Sequence, residues 1–148
     1  RPTLHEKMKV VNSIGLSNYM VKNAGSNEII KKTDIDNLWF IPAGPVLPNS
    51  SELIEAGVLD DLIEELKGKF DYVIIDSTPA GLVADATLMI KYASYILLVC
   101  RNDYTRKDVF NDVLNLFRTN NVNNFDIVFN DLNLKKSRYG RYDNYYKQ

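Results

Sequence analysis

The sequence predicts an α/β protein in which a mostly parallel sheet lies between two layers of helices. Three runs, "DYVIID" (71–76), "SYILLVC" (94–100) and "FDIVFND" (125–131), are almost continuously apolar, which is typical of strands covered on both faces. Segments with the apolar spacing of helices separate these runs. A chain of 148 residues is long enough to bury a core without disulfides. Strands that alternate with helices in this way indicate a three-layer fold.

The first half of the chain is predicted to be mainly helical, with one pair of short strands. The segments "TLHEKMKVVN" and "GLSNYMV" each predict a helix. The β-rich segments "NEIIKKT" (27–33) and "NLWFIPAG" (37–44) flank the polar "DID", and we expect them to pair as strands. After a loop, residues 51–68 predict a helical hairpin or one kinked helix.

The second half carries the predicted parallel strands and the helices between them. After the strand that ends at Asp76, "LVADATLMIKY" predicts a helix that leads into "SYILLVC". Thr105 and Asp108 have the spacing of a helix cap, and "FDIVFND" supplies the last strand. From residue 133 no hydrophobic period remains, so we expect a domain over 1–132 and a mobile, tyrosine-rich tail over 133–148.

Charge and composition give no support for a nucleic-acid-binding, membrane-spanning or metal-binding function. A formal net charge of −1 gives no global reason to expect nucleic acid or an anionic membrane as partner. No apolar run approaches the roughly 20 residues that span a bilayer. Cys100 ends an apolar run and is predicted to be a buried thiol, and Trp39 is predicted to lie in the core. His5 has no Cys or carboxylate cluster beside it, so a helix-surface residue is favoured over a metal ligand.

Polar side chains at the ends of the predicted strands form a candidate ligand site. Ligands of parallel α/β sheets bind beyond the carboxyl ends of the strands, which is where Asp76, Arg101 and Asn130 fall. Each has a structural alternative: Asp76 could cap the following turn, Arg101 could neutralise a neighbouring acid, and Asn130 could begin a turn. The functional alternative for Asp76 is a Walker B carboxylate, which holds Mg²⁺ beside nucleotide phosphates.

The segments "GPVLPNSSELI", "DYVIIDSTPAGLVADATLM", "ILLVCR" and "IVFND", followed by a tyrosine-rich end, occur in a distinctive order. Together they resemble the catalytic domain of the bacterial tyrosine kinases (BY-kinases), which control export of capsular and extracellular polysaccharide. That family has a P-loop ATPase-like domain related to the MinD and ParA group. The resemblance covers essentially the whole chain. It implies a P-loop NTPase-like fold, ATP and Mg²⁺ as cofactors, and protein-tyrosine autokinase activity.

The resemblance also implies roles for individual residues. Asp76 would be the catalytic Walker B acid and would hold Mg²⁺, through water. Arg101, Asn130 and Asp85 would lie near the nucleotide or its phosphates, although Asp85 could equally be a first-turn helix carboxylate that interacts with the helix dipole.

Departures from the family pattern limit what this chain is expected to do alone. Ser77, Thr78 and Pro79 stand where "TPP" is common, and "RPTLH" at residues 1–5 matches only the tail of the Walker A′ motif. No Gly-rich "GK[ST]" loop occurs in the 148 residues, so the backbone N–H nest and the lysine that hold phosphates are missing. We expect the C-terminal part of a kinase domain, truncated at its N-terminus, which does not bind ATP·Mg²⁺ alone.

The tail is expected to be the phosphoacceptor. Tyr139, Tyr142, Tyr145 and Tyr146 stand among polar and basic residues, and the resemblance implies that another subunit's active site modifies them in trans. It also implies a homo-oligomer, a transmembrane activator segment or subunit, a tyrosine phosphatase, and a place on the cytoplasmic side of a bacterial inner membrane. A MinD/ParA-like ATPase would share the core but would not need the tyrosine tail, and a non-enzymatic regulatory or scaffold module stays open for this chain by itself.

Overall fold

The protein is described by a computed structural model that covers residues 4–79 and 84–132, without the side chains of residues 84–86. The chain divides into two compact units, Arg1–Asp76 and Ser77–Gln148, here called the N-terminal unit and the C-terminal unit. In the described part of both units, no helix is long and apolar enough to cross a membrane. The predicted tail over 133–148 lies outside the described residues.

Over its described residues, 4–76, the N-terminal unit has five helices and one pair of short strands. The strands β1 and β2 pair antiparallel, with Lys31 opposite Phe40 and Lys32 opposite Trp39. In chain order the elements are α1 (Leu4–Lys7), α2 (Leu16–Met20), α3 (Ser26–Ile29), β1 (Lys31–Lys32), β2 (Trp39–Phe40), α4 (Ser50–Glu55) and α5 (Asp60–Lys69).

Most predicted elements of this unit are confirmed, with two corrections. The two helices α4 and α5 realise the predicted helical hairpin, and the predicted strands pair, but residues 26–29 form α3. Gly25 begins this helix, because its N–H donates to the Glu28 carboxylate at 2.8 Å. The second correction concerns Trp39, which is half-exposed and lies 6.3 Å from the ring of Phe70 instead of in the core.

The core of the N-terminal unit comes largely from its helices. On α5 the spacing of Leu62, Ile63 and Leu66 places three buried side chains on one face, as the sequence pattern predicts. The other buried apolar side chains described in this unit include Met20, Ile29, Pro42, Ile54 and Leu59.

Two glycines allow the loop before α2 to meet the loop after β2. The N–H groups of Leu16 and Ser17 donate to the carbonyls of Pro42 and Ala43 at 2.8 and 2.9 Å. A Cβ on Gly15 would lie 2.1 Å from the Pro42 carbonyl oxygen, so no larger residue fits there. Gly44 has a positive φ of 77°, which glycine adopts without strain. This close backbone contact joins residues that are 26 positions apart in sequence.

The C-terminal unit carries the parallel strands. Its elements are α6 (Ala84–Met89) with a 3₁₀ turn (Ile90–Tyr92), β3 (Ile96–Arg101), α7 (Lys107–Thr119) and β4 (Phe125–Asn130). The strands pair parallel, from Ile96 opposite Phe125 to Arg101 opposite Asn130. Helix α7 packs on one face of this sheet, where the rings of Phe117 and Phe125 meet edge to face at 4.9 Å. This βαβ unit confirms the predicted parallel pairing and the predicted burial of Cys100.

Two expectations for the parallel sheet and one for the helix α7 are wrong in this structure. Residues 71–76 form no strand, and Ile74 is 89% exposed. The strands β3 and β4 are covered on one face only, because Leu97 and Val99 are exposed. Thr105 does not cap α7, because its Oγ1 accepts the N–H of Arg101 at 2.9 Å. The first two errors share a cause: an apolar run becomes a buried parallel strand only where neighbouring strands and helices cover it.

Candidate functional site

The carboxyl ends of β3 and β4 bring two of the predicted site residues together. Arg101 and Asn130 are the last residues of their strands and stand opposite each other in the parallel register. The pairing continues one step further, because the N–H of Asn102 donates to the carbonyl of Asn130 at 3.0 Å. The register of the sheet therefore fixes the two side chains at one edge, where ligands of parallel α/β folds bind.

The Arg101 guanidinium is oriented by two neighbours. Its Nε donates to Oδ2 of Asp131 at 2.9 Å, and it lies over the ring of Tyr104 at 5.5 Å from the ring centre. Both members of the Arg101–Asp131 ion pair are more than half exposed, so the pair contributes little to stability. A guanidinium carries five N–H donors, and the Nε–H is one of them, so the ion pair does not exhaust the donors of Arg101.

Turns after both strands shape this edge. The Asn130 side chain accepts the N–H of Asp131 at 2.8 Å, and Asp131 has a positive φ of 60°. Asp103 has a positive φ of 56° in the turn after β3. Asn and Asp tolerate this region better than other residues with a Cβ, which explains why the strands end in "RND" and "FND". The structure therefore shows Arg101 paired with a neighbouring acid and Asn130 at the start of a turn. These are the structural alternatives that the sequence left open for the two residues.

The first turn of α7 adds a second exposed ion pair to the C-terminal unit. Arg106 donates two hydrogen bonds to Asp108, from Nε at 3.1 Å and from Nη2 at 2.5 Å. These bonds and the N–H of Val109 hold the pKa of the Asp108 carboxyl below its usual value, and the Arg106 pKa is raised by the same partner. Basic and acidic side chains alternate here, so this end of the unit has no strong charge of one sign.

The other predicted site residues are not joined to this edge by any described contact. Asp76 is exposed and is the last residue of the N-terminal unit. Asp85 lies in α6, and only its backbone is described. The tail tyrosines Tyr139, Tyr142, Tyr145 and Tyr146 lie outside the described residues. His5 is half-buried in α1, and its Nδ1 has no hydrogen-bond partner among the described residues.

The described residues supply only part of a site for ATP and Mg²⁺. Mg²⁺ is usually bound by one or two carboxylates together with phosphate oxygens and water, and Asp76 could provide one such ligand. Among the described side chains, those of residues 4–79 and 87–132, no three from His, Cys, Asp or Glu converge on a point that could hold a metal ion. The phosphates need a nest of N–H groups, for which the chain has no Gly-rich sequence. The nucleotide site is therefore incomplete in this part of the protein.

Sequence reasoning missed Asp131 and Tyr104, which contact Arg101 directly. Their signal was available, because Asp131 is the last residue of the predicted run 125–131 and Tyr104 follows the predicted run 94–100 by four residues. Sequence reasoning also missed a cavity of about 360 Å³ in the N-terminal unit, lined by Asn27, Ile30, Trp39, Lys69 and Phe70. This cavity joins residues that are far apart in sequence, so no local pattern predicts it.

Comparisons with known proteins agree with the fold described above. A family model for an AAA domain matches residues 3–127. The tyrosine-protein kinase CpsD of Streptococcus agalactiae is 31% identical over 134 residues, which are 90% of this chain and 58% of that protein. The chimerical protein CapA2B2 superposes with a TM-score of 0.82 at 28% identity, over 89% of this chain and 58% of that chain. The kinase domain of the Escherichia coli tyrosine kinase ETK gives a TM-score of 0.81 at 27% identity, over 88% and 51% of the two chains.

These matches confirm the predicted P-loop NTPase-like fold class. The chain spans somewhat more than half the length of the curated relative and of the superposed kinase chains. Since the family model matches most of the chain and the relatives are tyrosine kinases, the chain belongs to the AAA domain family and, within it, to the bacterial tyrosine kinases.

Proposed function

We propose that this chain is part of an ATP-dependent protein-tyrosine autokinase that regulates the synthesis and export of capsular or extracellular polysaccharide. The observation that carries the proposal is the match to tyrosine kinases over 90% of the chain. The polar edge formed by Arg101 and Asn130 supports it, because phosphoryl transfer depends on positioned charges at such an edge.

In the complete kinase domain, Asp76 would hold Mg²⁺, through water, beside the nucleotide phosphates. Arg101, Asn130 and Asp85 would contact the nucleotide or its phosphates. An arginine that pairs with one carboxylate can change partners at low cost when the pair is exposed, so Asp131 would hold Arg101 ready for phosphate. ATP supplies the transferred phosphoryl group, and the Mg²⁺ ion neutralises its charge.

The substrate in this proposal is the tail. Between residues 135 and 148 the sequence has five basic side chains and one acidic one, a net charge of +4. Phosphorylation of Tyr139, Tyr142, Tyr145 and Tyr146 would add about −1.5 to −2 for each tyrosine and would make the tail negative. A basic tail is attracted to an acidic ATP site, and a phosphorylated tail is repelled by it. Phosphorylation would therefore release tails that are inserted in trans between subunits.

The partners and the location follow from the same proposal. The kinase would form a homo-oligomer through its tails, would be activated by a transmembrane segment on the same chain or on a separate subunit, and would be reset by a tyrosine phosphatase. It would act on the cytoplasmic side of a bacterial inner membrane. No nucleic acid partner is proposed, since the chain has no excess of basic residues.

The test of this function uses the complete kinase domain that contains this chain. Incubation with ATP and Mg²⁺, followed by mass spectrometry, should place the phosphate on the four tail tyrosines, and Asp76→Ala should abolish labelling. Asp71→Ala is the matched control, because Asp71 is an exposed acid five residues earlier, and it should retain activity. Labelling that persists in Asp76→Ala, or that survives replacement of the four tail tyrosines by Phe, contradicts the assignment.

The 148-residue chain alone should not bind ATP·Mg²⁺, because one exposed carboxylate and one guanidinium cannot replace a phosphate loop. Isothermal titration calorimetry provides the measurement. Micromolar affinity for this chain would show that its phosphate site is already complete and would contradict the proposed division of roles.

A further inference from the structure

Tyr104 is an exposed aromatic residue at the carboxyl edge of the parallel sheet. It is 76% exposed, so burial of the ring does not determine where the side chain lies. The ring instead lies against Arg101, with 5.5 Å between the ring centre and the guanidinium carbon. This distance is within the roughly 6 Å over which an aromatic ring attracts a cation. Tyr104 therefore contacts a residue of the proposed nucleotide site without having a role assigned to it there.

The turn after β3 fixes the backbone of Tyr104 beside Arg101. The N–H groups of Tyr104 and Thr105 both donate to the Arg101 carbonyl, at 3.2 and 2.9 Å. The N–H of Arg101 donates in return to Thr105 Oγ1 at 2.9 Å. Asp103 has a positive φ of 56° in the same turn, a conformation that aspartate tolerates better than most residues. These hydrogen bonds hold the backbone that carries the ring, so the ring stays close to the guanidinium.

Tyr104 and Asp131 contact the Arg101 guanidinium in different ways. Asp131 accepts a hydrogen bond from Nε at 2.9 Å. The attraction between the ring and the positive charge uses no N–H donor. Neither contact therefore uses the two Nη amino groups, which carry the remaining donors of a guanidinium. Phosphate oxygens bind such amino groups with two parallel hydrogen bonds, so both contacts are compatible with a phosphate at Arg101.

An exposed arginine needs more than one contact to keep a fixed orientation. Both members of the Arg101–Asp131 pair are more than half exposed, and such a pair contributes little by itself. A long side chain that binds a phosphate loses rotamer freedom when it does so, and this loss weakens binding. A second contact from a residue on a fixed turn removes part of the loss before the nucleotide arrives. A tyrosine suits this task, because it has few rotatable bonds and a large, rigid ring.

We propose that Tyr104 is a positioning residue of the kinase reaction, whose ring holds the Arg101 guanidinium in the orientation that receives a nucleotide phosphate. The inference rests on the proposed function, in which Arg101 contacts the nucleotide or its phosphates. The ring keeps its contact when Arg101 exchanges Asp131 for the phosphate, because the ring does not compete for N–H donors. Tyr104 acts through Arg101 and does not itself touch the reacting atoms.

The kinetic test uses the complete kinase domain and measures initial rates of tail phosphorylation against ATP concentration. Tyr104→Leu should raise the KM for ATP about two- to fivefold at unchanged kcat, which is the strength of an exposed contact between a ring and a cation. Tyr104→Phe should keep the wild-type KM, since phenylalanine retains the ring. Tyr95→Leu is the matched control, because Tyr95 is half-exposed at the opposite end of β3, where its hydroxyl donates to Asp126 at 2.8 Å. The control should not change the KM.

A double-mutant cycle shows whether Tyr104 acts through Arg101. Arg101→Leu should raise the KM for ATP about tenfold or more, because it removes charge-assisted hydrogen bonds to phosphate. Addition of Tyr104→Leu to Arg101→Leu should then raise the KM no further. The proposal is overturned by an unchanged KM in Tyr104→Leu, by equal rises in Tyr104→Phe and Tyr104→Leu, or by independent effects of the Tyr104 and Arg101 substitutions.

A measurement without nucleotide separates this inference from the proposed function. In the nucleotide-free kinase domain, the NMR signal of the Arg101 Nε–H group, assigned by its loss in Arg101→Lys, should move in Tyr104→Leu and stay in place in Tyr104→Phe. A signal that Tyr104→Leu does not move overturns this inference and leaves the proposed function standing. A signal that moves, together with a KM that Arg101→Leu does not change, shows that the ring orients Arg101 but that Arg101 does not bind the nucleotide. The role of Arg101 in the proposed function is then wrong, and the role of Tyr104 in the reaction is wrong with it.

Discussion

The N-terminal and C-terminal units differ in where their apolar side chains lie. In the N-terminal unit, helices bury most of the core, including Leu59 and Leu62, which are almost completely inaccessible to water. In the C-terminal unit, α7 buries Val113 and Phe117 against one side of the sheet, while Leu97 and Val99 remain exposed on the other.

The difference follows from the geometry of the two kinds of element. A helix forms its backbone hydrogen bonds internally and needs cover on one face, so a few neighbouring helices can complete a core. A parallel strand needs partners on its edges and layers on both faces, and these come from distant parts of a chain. Each unit contains one natural reporter of its unfolding. Trp39, the single tryptophan, lies in the N-terminal unit, and Cys100, the single cysteine, lies in the C-terminal unit.

The largest effect is expected from Gly15→Ala in the N-terminal unit. The new Cβ would lie 2.1 Å from the Pro42 carbonyl oxygen, and backbone atoms on both sides prevent relief. The hydrogen bonds of Leu16 and Ser17 to that loop should break, at a loss of about 3–5 kcal/mol in the free energy of unfolding. Urea unfolding followed by Trp39 fluorescence measures it.

Gly68→Ala is the matched control for that substitution. Gly68 lies in α5, and a Cβ there would meet nothing within 4 Å. Alanine should stabilise the helix by about 0.5–1 kcal/mol, because it lowers the conformational freedom of the unfolded chain. Similar losses for Gly15→Ala and Gly68→Ala would show that the clash at Gly15 is not the cause.

The second prediction compares the two reporters in one protein. Cys100 is 3% exposed and burial raises the pKa of its thiol, so labelling in the native state should be at least tenfold slower than in urea. The sheet around Cys100 has one bare face, so we expect the C-terminal unit to open first. The labelling rate of Cys100 should then rise at a lower urea concentration than the concentration at which Trp39 fluorescence changes. Coincident transitions would mean that the two units unfold together and would remove the contrast in stability.

The sequence was sufficient for elements whose signal is local. The spacing of Leu62, Ile63 and Leu66 predicted α5, and the apolar runs at 94–100 and 125–131 predicted β3 and β4 with their parallel pairing. The positions of Arg101 and Asn130 at strand ends follow from the same runs, so part of the candidate site was predictable. Their grouping at one edge then depends only on the register of two strands.

The wrong predictions concern which elements bury a segment and which residues pair with each other. Both depend on residues that are distant in sequence. The run at 71–76 has the composition of a buried strand, yet no described strand pairs with it. Trp39 is apolar and was expected in the core, but it lines a cavity with Phe70. The Arg101 contact with Asp131 joins residues 30 positions apart, and a spacing pattern does not show which acid an arginine selects.

The smallest effect is expected from Glu65→Gln in the N-terminal unit. The Glu65 carboxylate accepts hydrogen bonds from Lys69 at 2.6 Å and from Ser26 at 2.9 Å, and these lower its pKa below the usual 4.5. A lowered pKa in the folded state gives stability that is present above pH 4.5 and is lost as the pH falls through the folded value.

Glu65→Gln removes that contribution, so its stability should fall less than that of the wild type between pH 5 and pH 3, on the scale of the linkage effect of about one carboxylate. The difference should be small, because the partner ammonium is half-exposed and screened by water. Glu64→Gln is the control, since the ion pair of Glu64 among the described residues is with the exposed Lys67, one turn away on the same helix. Urea unfolding at several pH values, followed by Trp39 fluorescence, gives the comparison.

If Glu65→Gln and wild type lose the same stability on acidification, the contact between α3 and α5 through Ser26 contributes nothing to the acid sensitivity of the N-terminal unit.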